Sequence, residues 1–121
     1  MRTEEDWVRN ASVVRVVDGD TLKLAVDMGG YITWDMTARL DGLNAPEVTG
    51  PDKAKGIAAR DWLADQVYNK DVVGEVVIRI RKVTEKYGRW LVTVWAGDMN
   101  INEGLIAAGH AVRWDGKGQK P

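Results

Sequence analysis

The chain has 121 residues, of which 45% are hydrophobic, so it is long enough to form one domain with a buried core. It contains no cysteine and one histidine, which excludes disulfides, cysteine nucleophiles and zinc sites built from thiolates or paired histidines. Because 17 Lys and Arg face 18 Asp and Glu, for a net charge of −1, any binding of an anionic polymer must depend on local positive charge.

The two ends of the chain are expected to lie outside the core. Residues 1–10 are mostly charged or polar and contain no apolar stretch of the signal-peptide kind, which predicts an N-terminal arm on a cytoplasmic protein. Residues 115–121 are predicted to be a frayed tail. No stretch approaches the roughly 18 to 20 apolar residues of a membrane span. We therefore interpret residues 1–121 as a single soluble domain, expected to be a monomer without membrane contact.

Alternating apolar residues predict three consecutive strands in the first third of the chain. Residues 11–17 are rich in valine and end at the turn residues 18–20. Residues 21–28 then place every second, apolar side chain on one face: Leu22, Leu24, Val26 and Met28. After a Gly-Gly turn, residues 31–40 repeat the pattern with Ile32, Trp34, Met36 and Ala38. Residues 41–52 contain several Gly, Pro and Asn residues and are expected to form a loop.

The rest of the chain predicts two helices and two strands. Residues 52–67 have helical spacing of apolar residues, whereas residues 72–83 and 89–95 alternate again. Asn100, with Glu103 three residues later, predicts the cap of a short helix that ends at Gly109. The order β-β-β-α-β-β-α is typical of a mainly β fold, a five-stranded Greek-key barrel of the OB type with two helices, because closure removes exposed strand edges. An open five-stranded sheet with one covered face is the alternative.

Polar side chains that could bind ligands or take part in catalysis are concentrated in the turns: Asp18, Asp20, Arg39, Asp41, Asn44, Glu47, Lys86 and Arg89. The mouth of a barrel could bring Arg39 and Glu47 together with Asp20. Carboxylate, amide and carbonyl oxygens suit Ca²⁺ or Mg²⁺. Guanidinium groups bind phosphate oxygens through paired hydrogen bonds. A metal, two arginines and a carboxylate together indicate phosphodiester cleavage.

Three of these segments resemble the signature segments of the staphylococcal nuclease, or thermonuclease, family in sequence, order and spacing. They are residues 16–21 (VVDGDT), 39–47 (RLDGLNAPE) and 86–89 (KYGR). Residues 102–111 also resemble the last helix of that family, so the resemblance covers residues 12–114. It implies the same OB barrel that the order of strands predicts. The NAPE form of residues 44–47 resembles that of small phage and bacterial members, which suggests that the site is not simply a damaged one and that a phage could encode the protein.

The resemblance implies a metal site with one departure from the family pattern. Asp20 matches the first metal-binding aspartate, Asp18 an acidic residue beside it, and Ala45 the position whose main-chain carbonyl binds calcium. Asn44 stands where the best-known member has a second aspartate, so its neutral amide predicts weaker metal binding. Asp41, two residues after the first arginine, is a candidate to restore a negative charge nearby.

The resemblance also implies the catalytic and substrate-binding groups. Arg39 and Arg89 match the two phosphate-binding arginines, and Glu47 matches the carboxylate that positions or deprotonates the attacking water. The residues matched to the nucleotide pocket are Lys86, Tyr87 and, by a looser register, Trp114.

Two functions follow from this pattern. The first is a metal-dependent nuclease that uses Ca²⁺, or alternatively Mg²⁺, to cleave DNA or RNA with little sequence specificity, with single strands preferred because an OB mouth binds unpaired strands. The second is a catalytically weak or inactive OB module that binds nucleic acid or a protein, as Asn44 and the near-neutral charge suggest. Arg79 and Arg81, on one predicted strand face, are interpreted as a solvated stripe, with a substrate path as the alternative.

Overall fold

The computed structural model describes residues 6–84 and 87–117 and has a closed barrel of five strands at its centre. The elements follow in the order β1 (Asp6–Asp18), β2 (Thr21–Asp27), β3 (Thr33–Leu40), β4 (Leu43–Asn44), α1 (Lys53–Tyr68), β5 (Glu75–Thr84), β6 (Trp90–Ala96), β7 (Met99–Asn100), α2 (Ile101–Ala107) and β8 (Val112–Arg113). Antiparallel pairing joins β3, β2, β1, β5 and β6, and parallel pairing of β3 with β6 closes the barrel. The predicted fold class is confirmed.

The alternation that predicts the strands also determines which side chains enter the barrel. Inward positions of β2, β5 and β6 are almost completely buried: Leu22, Leu24, Val26, Ile78, Ile80, Val92 and Val94. Burial of each side chain of this size contributes about 2 kcal/mol. Helix α1 packs onto β1 and adds Ala59, Leu63 and Val67 to the same core. One helix therefore covers one end of the barrel.

Three tryptophans fill the barrel where β1, β3 and β6 begin. Trp34 and Trp90 meet edge to face with ring centroids 5.1 Å apart, and Trp7 lies 6.2 Å from Trp34 and 6.4 Å from Trp90. All three rings pack against the buried core. The barrel is thus covered by α1 at one end and filled by aromatic rings at the other.

The chain ends differ from the sequence-based expectation. Residues 6–10, part of the predicted arm, belong to β1 and pair with β5 from Asp6 opposite Arg81 to Asn10 opposite Val77. Strand pairing and the packing of Trp7 outweigh the local charge of this segment. Residues 1–5 of the predicted arm and 118–121 of the predicted tail lie outside the described residues.

Two smaller differences concern turns and short strands. Strand β3 begins at Thr33, and Ile32 is 63% exposed, because Gly29, Gly30 and Tyr31 all have positive φ and turn the chain outward. The two-residue strands β4 and β8 pair with each other, with Asn44 opposite Val112. No sequence period predicts them. No helix within the described residues is long and apolar enough to cross a bilayer.

Candidate active site

A cavity of about 410 Å³ opens where the β1–β2 turn, the end of β3 and the start of β6 meet. Its lining consists of residues from the three signature segments: Asp18, Asp20, Arg39, Asn44, Ala45, Glu47, Tyr87 and Arg89. The parallel β3–β6 pairing explains this meeting, because Ala38 lies opposite Trp90, and Arg39 and Arg89 are the chain neighbours of these two residues. The fold therefore brings together most of the site residues that the sequence predicts.

Asp20 is a buried carboxylate at the turn between β1 and β2, only 7% exposed. Its main-chain N–H donates to Asp18 Oδ1 at 3.1 Å, which fixes the turn. Its carboxylate accepts hydrogen bonds from the Thr21 hydroxyl at 3.1 Å and from the Ala45 main-chain N–H at 3.0 Å. These contacts tie the β1–β2 turn to the loop after β4.

Arg39 lies at the closing seam of the barrel, where β3 pairs with both β2 and β6, and is 7% exposed. Its Nη2 lies 3.4 Å from Asp20 Oδ2, 3.4 Å from the Leu43 carbonyl and 3.2 Å from Asn44 Oδ1. The guanidinium carbon also lies 5.3 Å from the centre of the Trp114 ring. The side chain is held in place from several directions, so little reorganisation is needed before it binds an anion.

Asp18 and Asp20 form a pair of neighbouring carboxylates. The pKa of Asp18 is raised from 3.8 to about 6, mainly because the carboxyl is buried and also because of its hydrogen bond and charge repulsion with Asp20. Two anions in this position repel each other, and a bound cation would relieve that repulsion.

Helix α1 lies against the segments that line the cavity, and two glycines allow this close packing. A Cβ placed on Gly56, in the second turn of α1, would overlap the main-chain oxygen and carbon of Glu47. A Cβ placed on Gly19 would lie 2.7 Å from Ala59 Cβ and 3.0 Å from Ala45 Cβ. Both glycines are therefore positioning residues that the sequence analysis missed. A glycine inside a helix, where alanine is favoured, was the available signal for Gly56.

Arg89 and Tyr87 complete the cavity on the β6 side. The Arg89 guanidinium carbon lies 5.4 Å from the centre of the Tyr87 ring, which is 71% exposed. Lys86, predicted for the nucleotide pocket, lies outside the described residues.

A second cavity of about 240 Å³ adjoins the first and shares Arg39, Tyr87 and Arg89 with it. Trp114 lines this second cavity, and its main-chain N–H donates to the Gly42 carbonyl at 3.0 Å. Asp41 also lies here and not beside Asp20. Its carboxylate accepts hydrogen bonds from Arg81 Nη1 at 3.1 and 3.2 Å.

The oxygen atoms of the first cavity fit a hard divalent cation. Asp20 lines it with a carboxylate and Asn44 with an amide, and Ala45, whose main chain also carries a carbonyl oxygen, and Asp18 line it beside them. Among the described residues, no three His, Cys, Asp or Glu side chains form a metal-binding group. The amide and the main-chain carbonyl would therefore be needed to complete the coordination.

Comparison with known proteins gives consistent matches. A family model described as staphylococcal nuclease homologue matches residues 37–120. The chain is 32% identical over 120 residues to Protein ParB of Escherichia coli, which covers 90% of this chain and 60% of that protein. It is 35% identical over 102 residues to Thermonuclease of Staphylococcus intermedius, which covers 82% of this chain and 56% of that protein. The chain thus spans less than two thirds of the length of either relative.

Proposed function

This chain belongs to the staphylococcal nuclease family, and from that premise we propose that it hydrolyses phosphodiester bonds of DNA or RNA with the help of a divalent cation. The observation that carries the proposal is the meeting of Asp20, Arg39, Glu47 and Arg89 around one cavity. A buried oxygen donor, two guanidinium groups and an exposed carboxylate are the groups that hydrolysis of a phosphate diester requires.

The chain's own side chains divide the work in the following way. Arg39 and Arg89 bind the phosphate oxygens and stabilise the negative charge that grows on them as water attacks. Glu47 accepts a hydrogen bond from the attacking water, orients it and takes its proton. No covalent intermediate is needed, because the water that Glu47 activates attacks the phosphorus directly and the bond from phosphorus to the leaving oxygen breaks.

Asp20, Asn44 and the Ala45 carbonyl would hold the cation, and Asp18 would add negative charge beside them. A divalent cation bound there would supply positive charge next to the phosphate and the attacking water. We expect Ca²⁺, with Mg²⁺ as the alternative, because the donors are hard oxygens.

We expect single-stranded substrates. Two aromatic rings, the exposed Tyr87 and the half-buried Trp114, flank the arginines, and unpaired bases can stack on such rings irrespective of sequence. This stacking accounts for a nuclease of broad sequence tolerance.

One contact favours the second candidate, a catalytically inactive module that binds nucleic acid. Arg39 Nη2 donates to both Asp20 and Asn44, so a guanidinium group lies against two of the proposed metal ligands. If this arrangement persists, the module would bind phosphate without cleaving it.

The two candidates are distinguished by incubating the protein with denatured DNA in Ca²⁺, Mg²⁺ or chelator, beside the variant Glu47→Gln. We expect cleavage that chelator abolishes and that Glu47→Gln lowers in kcat by roughly 100-fold or more. Asp65 is an exposed residue of α1 away from the cavity, so Asp65→Asn removes the same charge and should keep the wild-type rate.

Cleavage that ignores both chelator and Glu47→Gln would contradict this mechanism. Binding of the DNA without cleavage in any metal would support the inactive module instead.

A further inference from the structure

Beside the candidate active site, the outer face of β5 and β6 carries cationic and aromatic side chains. Val76, Ile78 and Ile80 face the core, so the alternate residues Arg79 and Arg81 face outward and are exposed. On β6, Thr93 lies opposite Arg79 and Trp95 opposite Val77. The guanidinium carbon of Arg79 lies 5.9 Å from the centre of the Trp95 ring. We name Arg79, Arg81 and Trp95 the β5–β6 stripe.

The stripe is continuous with the candidate active site. Arg81 and Leu91 line the second cavity together with Tyr87 and Arg89, and the latter two also line the first cavity. From Leu91 the stripe follows β6 as far as Trp95, a distance of roughly 13 Å at the usual rise per residue. A strand that leaves the cavity past Arg89 would meet Arg81 first, then Arg79 and Trp95.

The charges around the stripe limit it to this path. Along it, Asp41 is paired with Arg81, and Asp6 on β1 lies opposite Arg81 in the sheet. Beyond Trp95 the surface changes sign, because Asp27 and Glu75 line a shallow depression together with Trp95. Since the whole chain has a net charge of −1, positive charge collected between the cavity and Trp95 is a local feature.

We infer that the β5–β6 stripe binds the part of a single-stranded nucleic acid that extends out of the candidate active site. This inference rests on the proposed function, because it takes the cavity as the place where the strand is held. The two guanidinium groups bind phosphates, and the Trp95 indole offers a stacking face to any base. A cation beside an aromatic ring, as Arg79 is beside Trp95, is a combination that sequence-independent single-strand sites use.

The test measures binding apart from cleavage, in a Glu47→Gln background, with fluorescein-labelled oligothymidylate followed by fluorescence anisotropy at several salt concentrations. We expect Arg79→Ala to weaken binding roughly tenfold and to reduce the slope of log K against log salt by about 0.7, the value for one lost phosphate contact on a single strand. Arg79→Lys should keep the slope. Competition by a thymidine dinucleotide, which fills only the cavity, should be the same in Arg79→Ala and the parent.

Two further variants separate charge from stacking. Trp95→Leu should weaken binding by roughly tenfold at every salt concentration and leave the slope unchanged. Arg60→Ala removes an equal charge on α1, away from the stripe, and should change neither the affinity nor the slope. Far-ultraviolet circular dichroism checks that each variant is folded.

If Arg79→Ala and the Glu47→Gln parent have equal affinity and equal salt slope, the inference is overturned. The stripe is then only a solvated surface, even if the wild-type protein cleaves DNA. Weaker dinucleotide binding in Arg79→Ala would also overturn it, because the effect would then act through the cavity. Polyglutamate that competes as well as unlabelled oligothymidylate would show a surface for acidic polypeptides instead. If Arg79→Ala weakens binding as expected but the wild-type protein does not cleave DNA, the nuclease proposal fails, whereas the inference that the stripe binds single strands stands.

Discussion

Arg39 is buried among three hydrogen-bond acceptors and the Trp114 ring, whereas Arg89 is half-buried and lies against the exposed ring of Tyr87. The two arginines are assigned the same chemistry but have different structural roles. Arg39 compensates the buried charge of Asp20, so it also contributes to the stability of the fold. Arg89 contributes mainly to the cavity surface.

This difference can be measured by comparing Arg39→Ala with Arg89→Ala. Removing Arg39 leaves the buried Asp20 carboxylate without its cation, so the free energy of unfolding should fall by about 3 kcal/mol. Arg89→Ala should lower it by less than about 1 kcal/mol. Both variants should lose roughly 100-fold or more in kcat/KM on single-stranded DNA. Urea unfolding and steady-state kinetics provide the two measurements, and equal stability losses would contradict the distinct roles.

Asn44 supplies a second prediction at this scale. A carboxylate at this position would replace a neutral acceptor with a charged ligand, so we expect Asn44→Asp to bind Ca²⁺ roughly tenfold more tightly. Isothermal titration calorimetry measures the change. Asn10→Asp, on the exposed outer face of β1, adds the same charge away from the cavity and should leave the affinity unchanged. Unchanged affinity in Asn44→Asp as well would refute the argument from ligand charge.

Helix α1 shows how an element can position a group that it does not carry, here the proposed general base Glu47. Glu47 is an exposed loop residue, but its main chain lies directly against Gly56, with no space for a Cβ. Glycine costs about 1 kcal/mol relative to alanine inside a helix. The close approach of the Glu47 main chain to α1 explains why glycine, and not alanine, stands at position 56.

We therefore expect Gly56→Ala to push the Glu47 loop away from α1 and to lower kcat at least roughly tenfold, with a smaller effect on KM. The usual stabilisation by alanine should be absent, because the steric overlap opposes it. Gly104→Ala makes the same change in α2, where the new methyl would meet side-chain atoms of Trp62 and Met99 at 3.0 and 3.5 Å. That control should keep the wild-type kcat, and full activity in Gly56→Ala would show that the helix does not position Glu47.

The elements also show how far the sequence can predict this structure. The inward positions of β2, β5 and β6 are almost completely buried, so the alternation of these strands is strong and their type could be predicted. The polar motifs lie at turns, and their resemblance to the signature segments of the family implied which of them meet. The contact between Gly56 and Glu47 could not be predicted, because it depends on the position of α1 relative to the loop that carries Glu47. The same limit applies to Asp41, whose partner Arg81 is 40 residues away in the chain.

At the scale of the whole molecule, the candidate site depends on closure of the barrel. Only three residue pairs, from Ala38 opposite Trp90 to Leu40 opposite Val92, join β3 to β6 among the described residues. This short seam holds Arg39 and places the start of β6, with Arg89, beside it. Trp90 belongs to the seam, and the rings of Trp7 and Trp34 pack against it, so they link the beginning of β1 to the strand that follows Arg89.

The last prediction follows from that packing and concerns the part of the chain whose sequence suggests a loose arm. Trp7→Ala should lower the free energy of unfolding by about 3 kcal/mol, because it removes a large ring from the closed end of the barrel. Val8→Ala, at a neighbouring position that is 59% exposed, should change it by less than about 0.5 kcal/mol. In a double-mutant cycle with Trp90→Ala, the two rings should show a coupling of about 1 kcal/mol, measured by urea unfolding. If residues 6–10 were a dispensable arm, neither the loss of stability nor the coupling would be observed. Pairing of β1 as far as Asp6 requires both, because the ring of Trp7 enters the barrel only when that segment is paired with β5.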